Sequence, residues 1–229
     1  MNQCSACLIR NRAICADLDA SELDALNKIG HQQQIERGRS LMWEGEDAHL
    51  VANVIDGVMK LTSSLEDGRE QIVGLVYPSD FIGRPYGTTS AQTVTAITDT
   101  KLCVFPRSAF DDFAKSHPRL EHKLLDKTLS ELDRARQWML LLGRKSASEK
   151  IASFLLEMSE RLAEKGCTDI PARSSFELPF GRQQVADILG LTIETVSRQF
   201  TRLKKQGLID LPDRRTVVIL DREALAVEA

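Results

Sequence analysis

The sequence predicts an α+β fold in three parts: an all-β roll, one long helix, and a C-terminal winged helix-turn-helix. Three observations carry that prediction. Residues 181–207 hold two short helical patterns meeting at Gly190-Leu191-Thr192. Residues 32–106 alternate short runs rich in Val, Ile, Leu and Thr with breaks at Gly38, Gly45, Gly57, Gly68, Gly74 and Gly83, as small barrels do. Between them, Leu125, Leu129, Leu132, Met139 and Leu142 recur at steps close to a heptad seam, with Ala135 filling the gap.

Composition bounds the answer first. The chain has 229 residues, 42% hydrophobic and 28% charged, a soluble mixture sufficient for two domains. No apolar run approaches the roughly 20 residues a membrane helix needs, and the first residues, MNQCSACLIRNR, lack the apolar core of a signal peptide. The expectation is a cytoplasmic protein with no membrane partner. Net charge is −3. Residues 181–207 carry Arg182, Arg198, Arg202, Lys204 and Lys205 against Asp187 and Glu194, a local +3 that leaves −6 elsewhere. A basic patch on an acidic body suits specific DNA binding with limited non-specific adhesion, although a solvated helix face carries the same charge.

Five cysteines occur: Cys4, Cys7, Cys15, Cys103 and Cys167. Three crowd a head at residues 1–16, and in a reducing compartment such spacing points to a metal or cluster rather than to disulfides. His31, His49, His117 and His122 are scattered without ligand spacing. Cys167 falls on a polar loop and is expected to be incidental.

In chain order, residues 17–117 make the sensory domain. It opens with a short amphipathic helix on Leu23, Leu26 and Ile29, with Ser21 as the expected N-cap and Gly30 as its stop. Val58–Thr62 and Gln71–Leu75 flank Glu66-Asp67-Gly68-Arg69, and Asp-Gly between strand-like runs predicts a hairpin. Thr93–Val104 delivers Cys103 on the last strand. Pro106 starts a helix that ends before Pro118, and Pro118 starts the long one, expected over 118–143 with Gly143 as its end. From 118 to 142 a helix spans about 38 Å, too long for a small core. Leu125, Leu129, Leu132 and Met139 are therefore expected to form a homodimer seam.

Residues 144–229 make the last domain. Ser146-Ala147-Ser148-Glu149 is a capping box, and Gly166 is the expected stop of the helix it opens. A short strand at Phe176–Leu178 precedes the helix-turn-helix. In its second helix Ile193, Val196, Phe200 and Leu203 form one apolar stripe, while Glu194, Ser197, Arg198, Thr201 and Lys205 take the other face. That is the build of a helix that packs with one side and reads a major groove with the other. Glu194 can accept from cytosine N4, Arg198 can donate to guanine O6 and N7, and Ser197 can meet a thymine methyl. Thr192 is expected to cap the helix, with Arg182, Arg202, Lys204 and Arg215 meeting phosphate or solvent. Leu208–Leu211 and Thr216–Leu220 read as a β-hairpin wing with two arginines at its tip.

A cysteine-rich head, a roll, a long helix and a winged helix-turn-helix in this order resemble the Crp–Fnr family of bacterial transcription regulators along essentially the whole chain. The most specific stretch is Leu191-Thr192-Ile193-Glu194-Thr195-Val196-Ser197-Arg198. Glu-x-x-Ser-Arg resembles the oxygen-sensing Fnr (fumarate and nitrate reduction regulator) branch, where the cyclic-AMP branch has Gly in place of Ser. The resemblance implies a roll of the cupin-like, cyclic-nucleotide-binding type, a [4Fe–4S] cluster on Cys4, Cys7, Cys15 and Cys103, and dimeric binding to inverted repeats of TTGAT-like half-sites. It also implies RNA polymerase as a partner. The chain departs from the best-known members between the second and third cysteines, an interval of seven residues here and shorter there. Thiolates are soft ligands suited to iron–sulfur chemistry; structural zinc, or a cofactor-free regulator controlled by its expression or by thiol oxidation, is the alternative. Ser79–Thr89 lacks the glutamate and paired arginine that hold a cyclic nucleotide in the cyclic-AMP branch, so no cyclic nucleotide is expected. An enzymatic barrel would leave residues 181–207 unexplained.

Overall fold

The computed structural model describes Cys4, residues 7–162 and residues 174–229. Gly166 and Cys167 lie outside the described residues. The chain divides into two compact units, Met1–Asp133 and Arg134–Ala229.

The first unit begins with successive turns through residues 7–18, closed by backbone bonds such as Ala13 N–H to Ile9 O at 2.9 Å and Leu18 N–H to Cys15 O at 3.3 Å. Helix α1 follows at Ala20–Ile29. Its N-cap is Asp19 rather than the expected Ser21: the Asp19 carboxylate accepts from the Ser21 and Glu22 amides, and Glu22 returns a bond to the Asp19 amide. A carboxylate that receives two amides outcompetes a single hydroxyl for the cap.

Eight strands follow: β1 (His31–Ile35), β2 (Ser40–Met42), β3 (Leu50–Asp56), β4 (Met59–Ser64), β5 (Glu70–Val76), β6 (Phe81–Ile82), β7 (Thr93–Ala96) and β8 (Thr100–Pro106). They form two four-stranded antiparallel sheets, ordered β1-β8-β3-β6 and β2-β7-β4-β5. The β4–β5 hairpin turns at the expected Asp67-Gly68, where Gly68 adopts φ 84°. Between the sheets sits a dry core of Ile35, Met42, Ala52, Val54, Met59, Val76, Ile82, Val94, Ala96, Leu102 and Val104. Because strand side chains alternate, Val51, Cys103 and Phe105 point out of the opposite face, where they meet Ile14, Leu18, Leu23, Leu26, Phe110 and Leu120.

Helix α2 (Arg107–Lys115) supplies Phe110 and Ala114 to that outer core. Helix α3 spans Pro118–Arg144 and the boundary between the units falls within it. Gly143 does not end the helix; the chain stays helical through Arg144, since an isolated glycine only weakens a helix.

The second unit holds the end of α3, then α4 (Ala147–Arg161), β9 (Ser175–Glu177), α5 (Arg182–Leu189), α6 (Ile193–Lys205), β10 (Ile209–Asp210), β11 (Thr216–Ile219) and α7 (Arg222–Val227). The Ser146–Glu149 capping box forms as expected, with Ser146 N–H to Glu149 Oε2 at 2.7 Å. Strands β10, β11 and β9 make one three-stranded sheet, so the Phe176 strand joins the wing. Helix α7 was not foreseen. Ile151, Phe154, Leu155, Met158, Phe180, Val185, Leu189, Val196, Phe200 and Leu203 are the buried core of this unit.

Candidate thiol site and DNA-reading face

In the first unit the structure brings the four predicted thiols together. Cys7, Cys15 and Cys103 all pack against a small cluster of Ile9, Ala13 and Ile55. Cys4 reaches α1, its thiol donating to Asn27 Oδ1 at 3.4 Å. Burial pushes the Cys103 thiol up to about 12 and Cys15 up to about 11, and the neighbouring sulfurs Cys4 and Cys7 push both further. Cys4 is raised for the same reasons, and the Arg10 guanidinium only partly offsets this. Mutual thiol repulsion means that the four sulfurs share one neighbourhood. Cys15 and Cys103 are therefore thiols near neutral pH, and a metal that binds them must displace their protons. Among the described residues, no three His, Cys, Asp or Glu side chains are already drawn onto a single ion position.

Residues 7–18 pack onto the first unit. Ile9, Ala13, Ile14 and Leu18 are buried, and each Ile or Leu so buried contributes about 1.5–3 kcal/mol relative to exposure. Ile14 and Leu18 belong to the same apolar cluster as Leu120, with Leu124 packed against it, and Asp17 pairs with Lys123 at 3.5 Å. Thus the residues beside Cys15 touch the first turns of α3. The sequence signal was present at Leu120 and Leu124, an i, i+4 pair offset from the leucine seam, but nothing local says what that pair meets.

Of the seam residues, Leu125, Leu129, Leu132 and Met139 are 53%, 52%, 44% and 73% exposed, and Leu140 joins them at 59%. A contiguous apolar stripe left in solvent on one helix marks an interaction surface.

In the second unit, Gly181 caps α5, its amide donating to Gln184 Oε1 at 3.1 Å, and Gly190 makes the turn at φ 61°, the left-handed conformation that suits glycine. Thr192 caps α6 as expected, its hydroxyl accepting the Thr195 amide at 3.3 Å. Val196, Phe200 and Leu203 are buried, and Ile193 is 38% exposed. Glu194, Ser197 and Arg198 are all exposed on the opposite side. The Glu194 carboxyl lies below the ordinary carboxylate range because a backbone amide and the Thr192 hydroxyl bond its charged form. It is an ionised acceptor at the positive end of the helix. Ser197, Arg198, Thr201, Arg202, Lys205 and Gln206 line one shallow depression, to which Gln206 was not assigned from sequence. The Thr201 hydroxyl donates back to Ser197 O at 2.9 Å.

Three of the cations expected at phosphate or solvent also have partners within the unit, while Arg202 and Lys204 stay about half exposed. Arg202 donates to Ser148 Oγ at 3.0 Å and to Glu228 Oε2 at 3.2 Å, tying α6 to α4 and to the end of α7. Lys204 pairs with Asp210 at 2.8 Å. Arg182 lies 3.4 Å over the Phe200 ring, and burial lowers its pKa to about 10. Each is held by a carboxylate, a hydroxyl or an aromatic face. In the wing, the Asp213 carboxylate accepts from the Arg215 and Thr216 amides, both at 2.7 Å, and from the Thr216 hydroxyl at 2.7 Å. That Asx-type turn sets Arg214 outward.

A β-roll with an outer thiol site, a helix with an unpartnered leucine stripe, and a winged helix-turn-helix with a polar reading face define a class: regulators that couple a sensory domain to a DNA-reading helix. The comparisons with known proteins agree. Residues 32–117 match the cyclic nucleotide-binding domain model, and residues 149–227 match the Crp-like helix-turn-helix domain model. The transcriptional activator protein FnrL of Cereibacter sphaeroides is 44% identical, over 100% of this chain and 92% of its own length. The nitrogen fixation regulation protein FixK of Bradyrhizobium diazoefficiens is 42% identical, over 90% of this chain and 85% of its own. The structure of FixK2 from Bradyrhizobium japonicum superimposes with a TM-score of 0.77 at 33% identity, covering 86% of this chain and 96% of that one. The chain belongs to the Crp–Fnr family of transcription regulators. Among the described residues no helix is long and apolar enough to cross a membrane.

Proposed function

We propose that this chain is an oxygen-responsive transcription activator. It binds an inverted-repeat, TTGAT-like DNA site as a homodimer while a [4Fe–4S] cluster held by Cys4, Cys7, Cys15 and Cys103 is intact. The observation that carries the reading is the packing of Cys7, Cys15 and Cys103 against one small cluster, beside residues that share an apolar cluster with the start of α3. Similarity to proteins named as transcriptional activators supports activation, with RNA polymerase as the partner that activation requires. No cyclic nucleotide takes part: the roll interior is filled by apolar side chains, and Tyr86 in the would-be phosphate loop is bolted down. Its amide donates to Asp111 and its hydroxyl to Glu121 at 2.7 Å.

When bound, the cluster supplies an oxygen-labile tie between the head and β8. The protein does the rest. Cys15 fixes the neighbouring Ile14 and Leu18 against Leu120 and Leu124, and the Asp17–Lys123 pair adds a charged contact on the same helix. Leu125 and Leu129, one step around α3, form the seam that a second copy covers. Once the thiols are released, the head keeps only its apolar contacts and that one exposed ion pair, which contributes little. The orientation of the first turns of α3 is then less constrained. Two copies present Glu194, Ser197 and Arg198 to successive major grooves.

Anaerobic purification tests this. A broad visible absorption that bleaches in air, with iron and sulfide bound, is the expected result. A colourless anaerobic preparation carrying stoichiometric zinc would refute it.

A further inference from the structure

On the outer face of its sheet, Cys103 does not sit among apolar residues alone. The strand register places Gln32 of β1 opposite it on one side and Asn53 of β3 opposite it on the other, with Phe81 of β6 completing the row. Residues directly opposite in an antiparallel pair share a face and hold their Cβ atoms about 4.5–5.5 Å apart. The alternation of β3 fixes which face that is. Ala52 and Val54 enter the interior of the roll, whereas Val51 joins the cluster containing Ile14 and Phe105, and Ile55 joins the one lined by Cys7, Cys15 and Cys103. Asn53 lies between these last two, on the thiol side.

Asn53 is 2% exposed, and its side-chain carbonyl oxygen is fully buried with no hydrogen-bond partner. A buried carboxamide end left unbonded costs about 1–3 kcal/mol, so a leucine of the same shape would serve a purely structural position better. The oxygen and nitrogen ends of an amide interchange by a half-turn about its last bond, so either end can face the sulfurs. A protonated thiol can offer the Asn53 oxygen only a weak S–H donor. Thiolates on a cluster are anionic acceptors without donors of their own, and they sit in the row where this amide is orphaned.

We propose that Asn53 is a positioning residue for the thiol site, its side-chain amide donating an N–H hydrogen bond to the Cys103 sulfur, or to an adjacent sulfide, when the site is loaded. This rests on the cluster reading given above. Hydrogen bonds to the sulfurs of an iron–sulfur centre stabilise its more reduced, more negative state and so set its potential. Asn53 thereby sets how readily oxygen takes an electron from the centre.

The test compares the full-length wild type with Asn53→Leu and Asn53→Ser, each purified anaerobically and assayed for iron, sulfide and zinc. Mediated redox titration, air-bleaching rate and thermal unfolding of the metal-free form are then measured. Losing one hydrogen bond to a charged acceptor predicts bleaching about tenfold faster in Asn53→Leu, with a lower reduction midpoint and an intermediate result for Asn53→Ser, whose hydroxyl can still donate. The metal-free Asn53→Leu protein is expected to unfold at the wild-type temperature or above it, the sign opposite to that of a structural residue. Iron-loaded variants with wild-type midpoint and bleaching overturn this inference and leave the cluster reading standing. A wild type that carries zinc and no iron overturns both. If Asn53→Leu does not fold, Asn53→Ser carries the comparison, and an unchanged midpoint there overturns the proposal.

Discussion

Replacing Leu129 with Asp tests the seam of α3 most directly. Leu129 is 52% exposed in the single chain, so about half its surface remains to be covered by a partner. Fully burying a leucine is worth about 1.5–3 kcal/mol, so half of it is worth about 1 kcal/mol, and a two-fold seam counts it twice. The aspartates add the penalty of placing two like charges against each other in a drying interface, which brings the total to about 4 kcal/mol. At 1.4 kcal/mol per factor of ten, the dimer dissociation constant rises about a thousandfold. Because the residue is half in solvent already, the monomer itself should fold normally. Analytical ultracentrifugation of the anaerobic protein over a concentration series measures the constant, and circular dichroism checks the helix. The expected outcome is a folded monomer at micromolar concentration that has lost half-site cooperativity on DNA. An unchanged dimer constant would refute the seam, as would loss of helical signal with dimerisation intact.

Other expectations follow from the same geometry. Arg198→Ala and Glu194→Ala should each cost about 1–3 kcal/mol on an inverted-repeat site while leaving binding to random DNA nearly unchanged; fluorescence anisotropy with both DNAs measures the difference, and equal losses on both would mean that these side chains meet only backbone. Arg182→Ala removes a cation held 3.4 Å over Phe200 and should lower the unfolding free energy by about 0.5–2 kcal/mol, read by denaturant melts. Arg182→Lys should rescue it only in part. Tyr86 titrates late, pushed up to about 12 by burial and by its bond to Glu121. Its folded pKa exceeds the ordinary 10, so its contribution is fully present below pH 10 and is lost as pH rises through about 12. Tyr86→Phe should flatten the alkaline limb of a stability-versus-pH curve, and an unaltered limb would remove the Tyr86–Glu121 bond from the account. Bonds from the Thr216 and Arg215 amides hold the Asp213 carboxyl below the ordinary carboxylate range, so the wing turn should keep its protection at neutral pH and lose it as pH falls below about 4. Hydrogen exchange at the Arg215 and Thr216 amides follows this, and exchange independent of pH-corrected acid would argue against the turn.

What the sequence revealed, and what it hid, divides along one physical line. Signals written within a few residues were readable: the Ser146–Glu149 box, the Asp67-Gly68 hairpin, the Gly190 turn, and the two faces of α6. The four thiols are expected from spacing and resemblance; Cys7, Cys15 and Cys103 pack against one apolar cluster, and Cys4 bonds to α1. What depends on distant partners was hidden. Ser148 on α4 and Glu228 just past α7 bond to Arg202, a pairing that local charge could not show, although its side chain stays about half exposed. Ser21 lost the N-cap to Asp19 because two capping candidates stood side by side and only geometry ranks them. The burial of Ile9 and Ile14 could not be seen in a segment too short for a periodic pattern. Asn53 was invisible for a different reason: one polar residue in an apolar strand means nothing until the register shows which residue it faces.

The ion pairs behind α6 also bear on how such a protein searches a genome. Each phosphate a protein neutralises steepens its salt dependence by about 0.9 in log–log slope and lengthens its stay on every irrelevant stretch of DNA. Because Glu228 and Asp210 pair with Arg202 and Lys204, which stay about half exposed, the net charge that α6 offers to DNA is lower than its formal charge. In the function proposed above, discrimination between right and wrong sites then rests on Glu194, Ser197 and Arg198.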